Sequence, residues 1–267
     1  MILYQLVNEY KKFDEVLAIV LTGSGVSGKN SFFYDMDVNV ILKKEIDINY
    51  RKNVLKKFSD NIETSIGKYG ERDIFILRNS TTEIDISYYT IDILKDNLFD
   101  VIHDCKASVG YTTYLWKLVS GGFIAYDKEG TIKDLQNKYK VPYPEKLKLN
   151  IVDKNYYLLR DSISSYYNKI DEAISSGDSA SIAHKVFKFL DSYFDIIFAV
   201  NEMPHTGDKR LISIITSKCR KVPKLWLEEV NRLVEVSCTC DKSILKSMDD
   251  IVDNLKEFLN KEGIKVN

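Results

Sequence analysis

The residues best suited to chemistry in this chain are a glycine-rich segment and the two carboxylates that follow it. Gly23 to Asn30 reads GSGVSGKN, and Asp35-Met36-Asp37 comes shortly afterwards. The first stretch differs by one residue from the phosphate-binding loop G-x-x-x-x-G-K-[ST], because Asn30 stands where a hydroxyl is needed for Mg²⁺. Two carboxylates at alternate positions of a strand share one side of it, where they can hold divalent cations. Two different nucleotide-binding devices fit this pattern.

The distance to the next strand decides between the two devices. A phosphate-binding loop leads into a helix whose N-terminus helps to hold the phosphates. Here only Ser31–Tyr34 and Asp35 lie between Asn30 and the strand-like run Met36–Leu42, MDVNVIL. That interval is too short for a helix of about three turns, the usual length. We therefore reject the phosphate-binding loop and interpret Lys29 and Asn30 as surface residues.

The second device is a glycine-serine turn placed before a D-x-D strand. Gly23 and Ser24 open a turn whose amides and hydroxyl bind terminal phosphates. Asp35 and Asp37 repel each other unless a cation lies between them. An exposed polar strand end is the plain structural alternative. It explains the two aspartates but not the turn before them.

Short strands and helices are predicted to alternate through the first half of the chain and to position these residues. Asp35, Asp37 and Asn39 are expected on one face of their strand, with apolar residues from Met36 to Leu42 on the inner face. Two later strands, 74–77 and 82–89, read as a hairpin across residues 78–81. The remaining expected elements are helix 1–13, strand 15–21, helix 48–67, one or two helices in 91–120, and strand 123–127.

The second half of the chain reads as helical. VPYPEK places Pro142 and Pro144 close together, which predicts a domain boundary. Beyond it, helices are expected at about 150–176, 178–201, 208–219, 222–236 and 241–262. The helix of 178–201, with Asp178 or Ser179 as its N-cap, carries an apolar stripe of bundle-core type. We expect an α+β fold with a mixed β-sheet and flanking helices in 1–142, followed by an all-α helical bundle in 143–267.

The glycine-serine turn and the D-x-D strand together resemble the signature of the nucleotidyltransferase fold of the DNA polymerase β superfamily. In bacterial minimal and antibiotic-modifying members the pattern is approximately G-S-x-A-x-G-x₅-S-D-x-D-[LIV]. This chain matches that spacing from Gly23 to Val38 without a gap. Val26, Ser27 and Tyr34 depart from it. These departures leave metal binding intact but remove an arginine that is common at the position of Ser27.

The resemblance also implies a third carboxylate on a neighbouring strand. Glu83 and Asp85, in EIDIS, lie on the same face of their predicted strand, so either fits. The apolar-Asp-apolar setting usual in the family favours Asp85. The resemblance then implies two Mg²⁺ ions between Asp35, Asp37 and Asp85, with a nucleoside triphosphate as co-substrate and ATP as the expected one.

The second half extends the resemblance to kanamycin- and lincosamide-type nucleotidyltransferases. VNEMPHTGDKRL, residues 200–211, is similar to the helix end of their substrate domain. It implies that Lys209 binds nucleotide together with Gly23 and Ser24, and that Glu202 binds substrate. A solvated helix-end lysine and an ordinary helix-end carboxylate are the alternatives. Tyrosines of a cleft between the domains are expected either to contact substrate or to pack in the bundle: Tyr156, Tyr157, Tyr166, Tyr167 and Tyr193.

The expected activity is therefore transfer of a nucleoside monophosphate to a hydroxyl of a small-molecule acceptor, with release of pyrophosphate. An aminoglycoside or lincosamide antibiotic is the acceptor class that the resemblance suggests. A protein adenylyltransferase of a toxin–antitoxin system is the alternative, although its minimal members are usually shorter. A third reading is a binding protein that has kept the fold and lost turnover, against which the complete set of carboxylates argues.

Composition and charge limit the partners and the cellular location that can be expected for this protein. A net charge of −1 supplies no basic field, so extended nucleic-acid binding is not expected. No apolar run is long enough to span a bilayer and no signal peptide is apparent, so we expect a cytoplasmic protein without membrane contact, with a homodimer left open. The cysteines form no paired C-x-x-C sets, and His103, His184 and His205 lack ligand spacing. Reduced thiols and structural histidines are therefore expected.

Overall fold

The structure is a computed structural model that describes residues 2–23, 35–67 and 70–266, with the backbone alone at residues 35 and 36. The chain divides into two compact units. The first comprises Met1–Phe99 and Leu115–Val141, and the second comprises Asp100–Tyr114 and Pro142–Asn267.

The first unit holds a six-stranded mixed sheet in the order β3-β4-β5-β2-β1-β6. β2 and β5 are parallel neighbours, and the other neighbouring pairs are antiparallel. A mixed sheet with flanking helices is thus confirmed. Its elements are α1 (Ile2–Tyr10), β1 (Val16–Thr22), β2 (Asp35–Leu42), α2 (Ile48–Leu55), β3 (Ile62–Gly67), β4 (Gly70–Ile76), β5 (Glu83–Thr90), α3 (Ile91–Leu98), α4 (Tyr114–Gly121), β6 (Phe123–Asp127) and α5 (Thr131–Lys138).

The core of this unit lies on the face of the sheet that the alternation in β2 predicts. Val38, Val40 and Leu42 are buried in one apolar cluster with alternate residues of β5 and with one side of α1. The opposite face is not uniformly polar, however. Asn39 is buried and donates from its amide to the Val20 carbonyl at 3.1 Å, and Ile41 is fully buried. Both faces of β2 are therefore covered toward its C-terminal end.

The predicted helix over 48–67 is wrong in its second half. α2 ends at Leu55, and β3 begins at Ile62. Between them the Ser59 hydroxyl accepts from the Asn61 amide at 3.0 Å and lies 2.6 Å from the Ile76 carbonyl oxygen, so the chain turns toward β4. Residues 62 and 66 are spaced for one helix face, but the β-branched alternation of IETSI fits a strand equally well. Pairing with β4 decides for the strand.

The second unit contains six helices in the described part after Pro142. The apolar stripe of the longest of them lies in the core of this unit, as predicted, and Asp178 caps that helix by accepting from the Ser181 amide at 3.0 Å. The predicted helix 150–176 is two helices, because the chain turns and Ser165 caps a new one. They are α6 (Glu145–Leu159), α7 (Tyr166–Ser176), α8 (Ser179–Val200), α9 (Leu211–Lys218), α10 (Trp226–Val236) and α11 (Ser243–Lys261). Among the residues described, no helix has both the length and the apolarity to cross a bilayer.

The second unit also takes in residues 100–114, which the proline-based boundary at 142/143 did not anticipate. Two buried side chains hold this segment. Asn155 of α6 accepts from the Gly110 amide at 3.0 Å. Asp195 of α8 accepts from the Thr112 amide at 3.2 Å and from the Thr112 hydroxyl at 2.7 Å. These partners are far apart in the chain, so no local pattern announces them.

Candidate functional site

The paired ends of β2 and β5 bring the predicted carboxylate positions together. In the parallel register Asp37 lies opposite Asp85, and Asp35 lies opposite Glu83. Paired residues of neighbouring strands project to the same face, and residues two apart share that face. Positions 35, 37, 83 and 85 therefore occupy one face at the N-terminal ends of the two strands. Both candidates for the third carboxylate are present, and Asp85, which is 8% exposed, is the one beside Asp37.

The end of β1 adjoins the same carboxylates. Thr22 is the register partner of Asp37, and Gly23 follows it with a φ of 94°. That backbone conformation favours glycine, so the residue type here has a local cause. The Asn39 amide donates to the Thr22 hydroxyl at 3.0 Å and holds the strand end in place. Ser24 lies outside the described residues, as do positions 25–34, while β2 begins at Asp35, close to where the spacing argument requires a strand.

The sequence reasoning missed Arg72, which contacts one of these carboxylates directly. Its Nε donates to Asp85 Oδ1 at 2.7 Å, and its Nη2 pairs with Asp85 Oδ2. The hydrogen bond that Arg72 donates to Asp85 raises the pKa of the guanidinium against the opposing effect of burial, and the charges of Asp85, Asp37 and Glu83 raise it further. Arg72 therefore lies in the field of three carboxylates.

A signal for Arg72 was available in the hairpin. Centring the turn on residues 78–81 sets β4 against β5 so that Ile74 faces Asp85 and Arg72 faces Ser87, as observed. Arg72 is then a diagonal neighbour of Asp85 on the same face, within reach of a long side chain. The predicted hairpin is confirmed, and its register alone indicates this pair.

A charged network lies beneath the opposite face of β4 and β5. Arg51 is fully buried, with its Nε 3.2 Å from Asp73 Oδ2 and its guanidinium 4.5 Å from the centre of the Tyr88 ring. Tyr88 donates its hydroxyl to Asp73 Oδ2 at 2.8 Å, and Tyr10 pairs with the Tyr88 hydroxyl. Because Asp73 follows Arg72 in β4, the network fixes the strand that presents Arg72.

The donor chemistry at the ends of β2 and β5 is of the kind that Mg²⁺ takes. Carboxylate oxygens are hard ligands, and three described residues supply them here: Asp37, Glu83 and Asp85. Within the part of the chain that is described, no three such side chains converge on one point in the manner of a metal cage. Both oxygens of Asp85 face Arg72 instead. The residue types therefore fit a divalent cation, and Arg72 is its competitor for Asp85.

Glu202 and Lys209 are the two site residues predicted in the second unit. Glu202 accepts from Lys148 Nζ at 3.1 Å, and Lys148 also pairs with Glu145 at 2.6 Å. A cationic group at Glu202 would share that carboxylate with Lys148. Lys209 is exposed and lies two residues before the first residue of α9. The roles of Glu202 and Lys209 toward nucleotide and substrate stay predictions.

Buried aromatic and imidazole groups of the second unit belong to its core. Tyr156 and Tyr193 are fully buried in the helical cluster, so packing is the role that holds for these two. His205 lies between the rings of Tyr111 and Phe198, at 4.6 and 4.5 Å between centroids. Its Nδ1 accepts from the Gly207 amide at 3.1 Å, and burial lowers its pKa to about 3. His205 is a neutral core histidine, in line with its lack of ligand spacing.

Comparison with known proteins finds a likeness among solved structures. No family model matches the chain, and no curated protein matches it. Among solved structures, a nucleotidyltransferase-like protein from Exiguobacterium sibiricum 255-15 aligns with 97% of this chain and 75% of its own. The identity is 12% and the TM-score 0.42. The proposal that follows is argued from the geometry of this chain alone.

Proposed function

We propose that this protein is a metal-dependent nucleotidyltransferase that moves AMP from ATP to a hydroxyl of a small-molecule acceptor. The observation that carries the proposal is the register of β2 and β5. It sets Asp37 beside Asp85 and Asp35 beside Glu83, next to the glycine that ends β1. Like charges gathered this closely are costly without a cation. Arg72 offsets one of them, at Asp85, and the carboxylates that remain favour a site that binds a cation.

In this proposal each part of the first unit has a role in handling the triphosphate. Asp35, Asp37 and Asp85 hold two Mg²⁺ ions, which when bound neutralise phosphate charge and lower the pKa of the acceptor hydroxyl. The Gly23 amide and Ser24 hold the outgoing phosphates. This unit then has a nucleotidyltransferase fold.

The helical second unit supplies the acceptor-binding part in this proposal. Lys209 adds positive charge for the triphosphate. Glu202 receives a cationic acceptor, such as an aminoglycoside, in exchange for its present partner Lys148. The exchange keeps a positive charge beside the carboxylate, so it carries no large electrostatic penalty.

The reaction is a single displacement at the α-phosphorus of the nucleotide. The acceptor oxygen forms a bond to this phosphorus and releases its proton to water, while the bond from the α-phosphorus to the bridging oxygen breaks and pyrophosphate leaves. The contribution of the protein is to align the acceptor with the leaving group and to stabilise charge.

Transfer of label from ATP tests the proposal. The full chain is incubated with Mg²⁺ and [α-³²P]ATP, together with a panel of aminoglycosides, lincosamides and candidate proteins. We expect the wild type to produce a labelled small molecule. Asp37→Asn, which removes one negative charge from the carboxylates of the site, should lower the rate of label transfer by at least about 100-fold. Asp60→Asn is the matched control, because Asp60 is an exposed carboxylate of the same unit that pairs with Arg78.

The outcomes separate the candidate functions. Label that accumulates on a protein acceptor and on no small molecule would support the protein adenylyltransferase instead. Absence of any Mg²⁺-dependent ATP binding would overturn the proposal, and so would full transfer by Asp37→Asn.

A further inference from the structure

Arg72 is the cationic partner described for Asp85, at the acidic N-terminal ends of β2 and β5. It reaches across from β4 and meets both oxygens of Asp85, one at 2.7 Å from its Nε. This fork geometry is the strong form of an arginine–carboxylate pair. The pair is also sheltered on one side, since the Asp85 side chain is 11% exposed while that of Arg72 is 38% exposed. Asp85 is thus held firmly by a partner that itself opens to solvent.

The charges around Arg72 explain why a cation is needed there. Asp37 and Glu83 act on the guanidinium as well as Asp85 does. Asp37 lies directly opposite Asp85, and Glu83 is two residues before it on the same face. Without a positive charge these carboxylates would repel one another with little water to screen Asp85. Arg72 supplies that charge from within the protein.

A divalent cation would need the same oxygens. Asp85 lies opposite Asp37, and the guanidinium of Arg72 engages both of its oxygens, so a cation bound between these carboxylates competes with Arg72 for them. The cost of separating Arg72 from Asp85 is then subtracted from the affinity for metal.

We propose that Arg72 is the built-in counter-cation of this site and that a divalent cation loads only by displacing it from Asp85, so that Arg72 sets the metal concentration at which the site fills. Arg72 acts through Asp85 and is a positioning residue. The inference rests on the proposed function insofar as that function assigns a metal to these carboxylates. It adds the residue that opposes metal binding and neutralises Asp85 before the metal arrives.

Metal binding by Arg72→Met tests this inference without an activity assay. Mn²⁺ is the probe, and free Mn²⁺ is followed by electron paramagnetic resonance during titration of the full chain. We expect Arg72→Met to bind Mn²⁺ about tenfold more tightly than the wild type, which corresponds to about 1.4 kcal/mol. In the absence of metal the same variant is expected to melt at a lower temperature, because Asp85 has lost its partner. Tighter binding together with lower metal-free stability is the signature of competition.

The controls use the other arginine of the hairpin and a conservative change. Arg78 forms a comparable forked pair with Asp60, at 3.0 and 2.7 Å, but both side chains are exposed. Arg78→Met should leave Mn²⁺ affinity unchanged. Arg72→Lys keeps the charge and loses the fork, so its affinity should lie between those of the wild type and Arg72→Met. It also preserves the test if Arg72→Met does not fold.

A second readout follows the guanidinium itself. In the wild type, titration with Mg²⁺ should move the ¹⁵N–¹H signal of Arg72 Nε as its bond to Asp85 breaks, while the Arg78 signal stays in place. Mn²⁺ binding by Arg72→Met and Arg72→Lys that is equal to or weaker than that of the wild type would overturn the inference. An Arg72 signal that does not shift with Mg²⁺ would overturn it as well, and so would a wild type that binds no Mn²⁺. If the protein transfers nucleotide but its Mn²⁺ affinity does not depend on Arg72, the proposed function holds and the inference fails. If Mn²⁺ affinity depends on Arg72 but no nucleotide is transferred, the inference holds and the proposed function fails.

Discussion

The buried pair of Arg51 and Asp73 gives a sharp test of how β4 is held beneath the site. Both side chains are fully buried, with Arg51 Nε 3.2 Å from Asp73 Oδ2. Arg51→Met removes the positive charge and keeps much of the volume. Asp73 is then left in the core with the Tyr88 hydroxyl at 2.8 Å as the donor described for it. An uncompensated buried charge of this kind costs about 3–5 kcal/mol.

The unsatisfied atoms of the network set the magnitude for the double variant. In the described part of the chain, Arg51 Nη2 and Asp73 Oδ1 have no hydrogen-bond partner although both are buried. A buried ion pair with unmet polar atoms contributes little beyond what apolar side chains of similar size would. Arg51→Met/Asp73→Leu should therefore be less destabilised than Arg51→Met alone, because no charge is stranded in the core. Glu71, the other partner of Arg51, loses its ion pair in both variants, but its side chain is one-third exposed and reaches water. The two substitutions are expected to be strongly non-additive.

Urea unfolding followed by circular dichroism measures these differences, provided that the slope of the transition does not change among the variants. The matched control is Arg78→Met, which breaks an exposed pair with Asp60 that water and salt screen, so the free energy of unfolding should change little. A loss below about 1 kcal/mol for Arg51→Met would refute the reasoning. A double variant as unstable as the sum of its single variants would refute it as well.

Two further predictions concern burial elsewhere. The pKa of His205 is about 3 in the folded chain, because the ring is buried, and about 6.5 when unfolded, so only the unfolded chain takes up a proton as pH falls below 6.5. The free energy of unfolding should drop by about 1.6 kcal/mol between pH 6.5 and 5, and His205→Gln should flatten that slope in urea titrations at each pH. An unchanged slope would contradict the assignment. A Cβ at Gly122 would lie 2.2 Å from Val20 Cγ1 and 2.6 Å from the Leu118 carbonyl, whereas one at Gly177 meets nothing within 4 Å. Gly122→Ala should therefore lower the free energy of unfolding by about 1–3 kcal/mol. Gly177→Ala should lower it by less, because its cost comes only from the positive φ. Equal losses of stability in thermal melts would count against this reasoning.

Local sequence patterns were sufficient to predict an element where the spacing of apolar residues fits only one type of secondary structure. The alternation in MDVNVIL predicted β2 to within one residue of its observed start, and the turn residues at 78–81 predicted the hairpin of β4 and β5. The apolar stripe of α8 and the cap at Asp178 were equally readable. Where two periods coincide, as at Ile62 and Ile66, the local pattern predicted a helix and pairing with β4 produced a strand.

The sequence by itself determined which residues could form the site: a D-x-D strand, a glycine at the turn before it and two further carboxylates on a later strand. Their residue types and short-range spacing are local properties, and they can be read without a fold. Only the tertiary structure decided that β5 lies parallel to β2 with Asp85 beside Asp37. Pairing of parallel strands joins segments that are distant in the chain, and no local period encodes which partner a strand will take. The residue types of the site, and through the hairpin register its pair of Arg72 and Asp85, could therefore be read from the sequence, whereas the pairing of β2 with β5 was set by the fold.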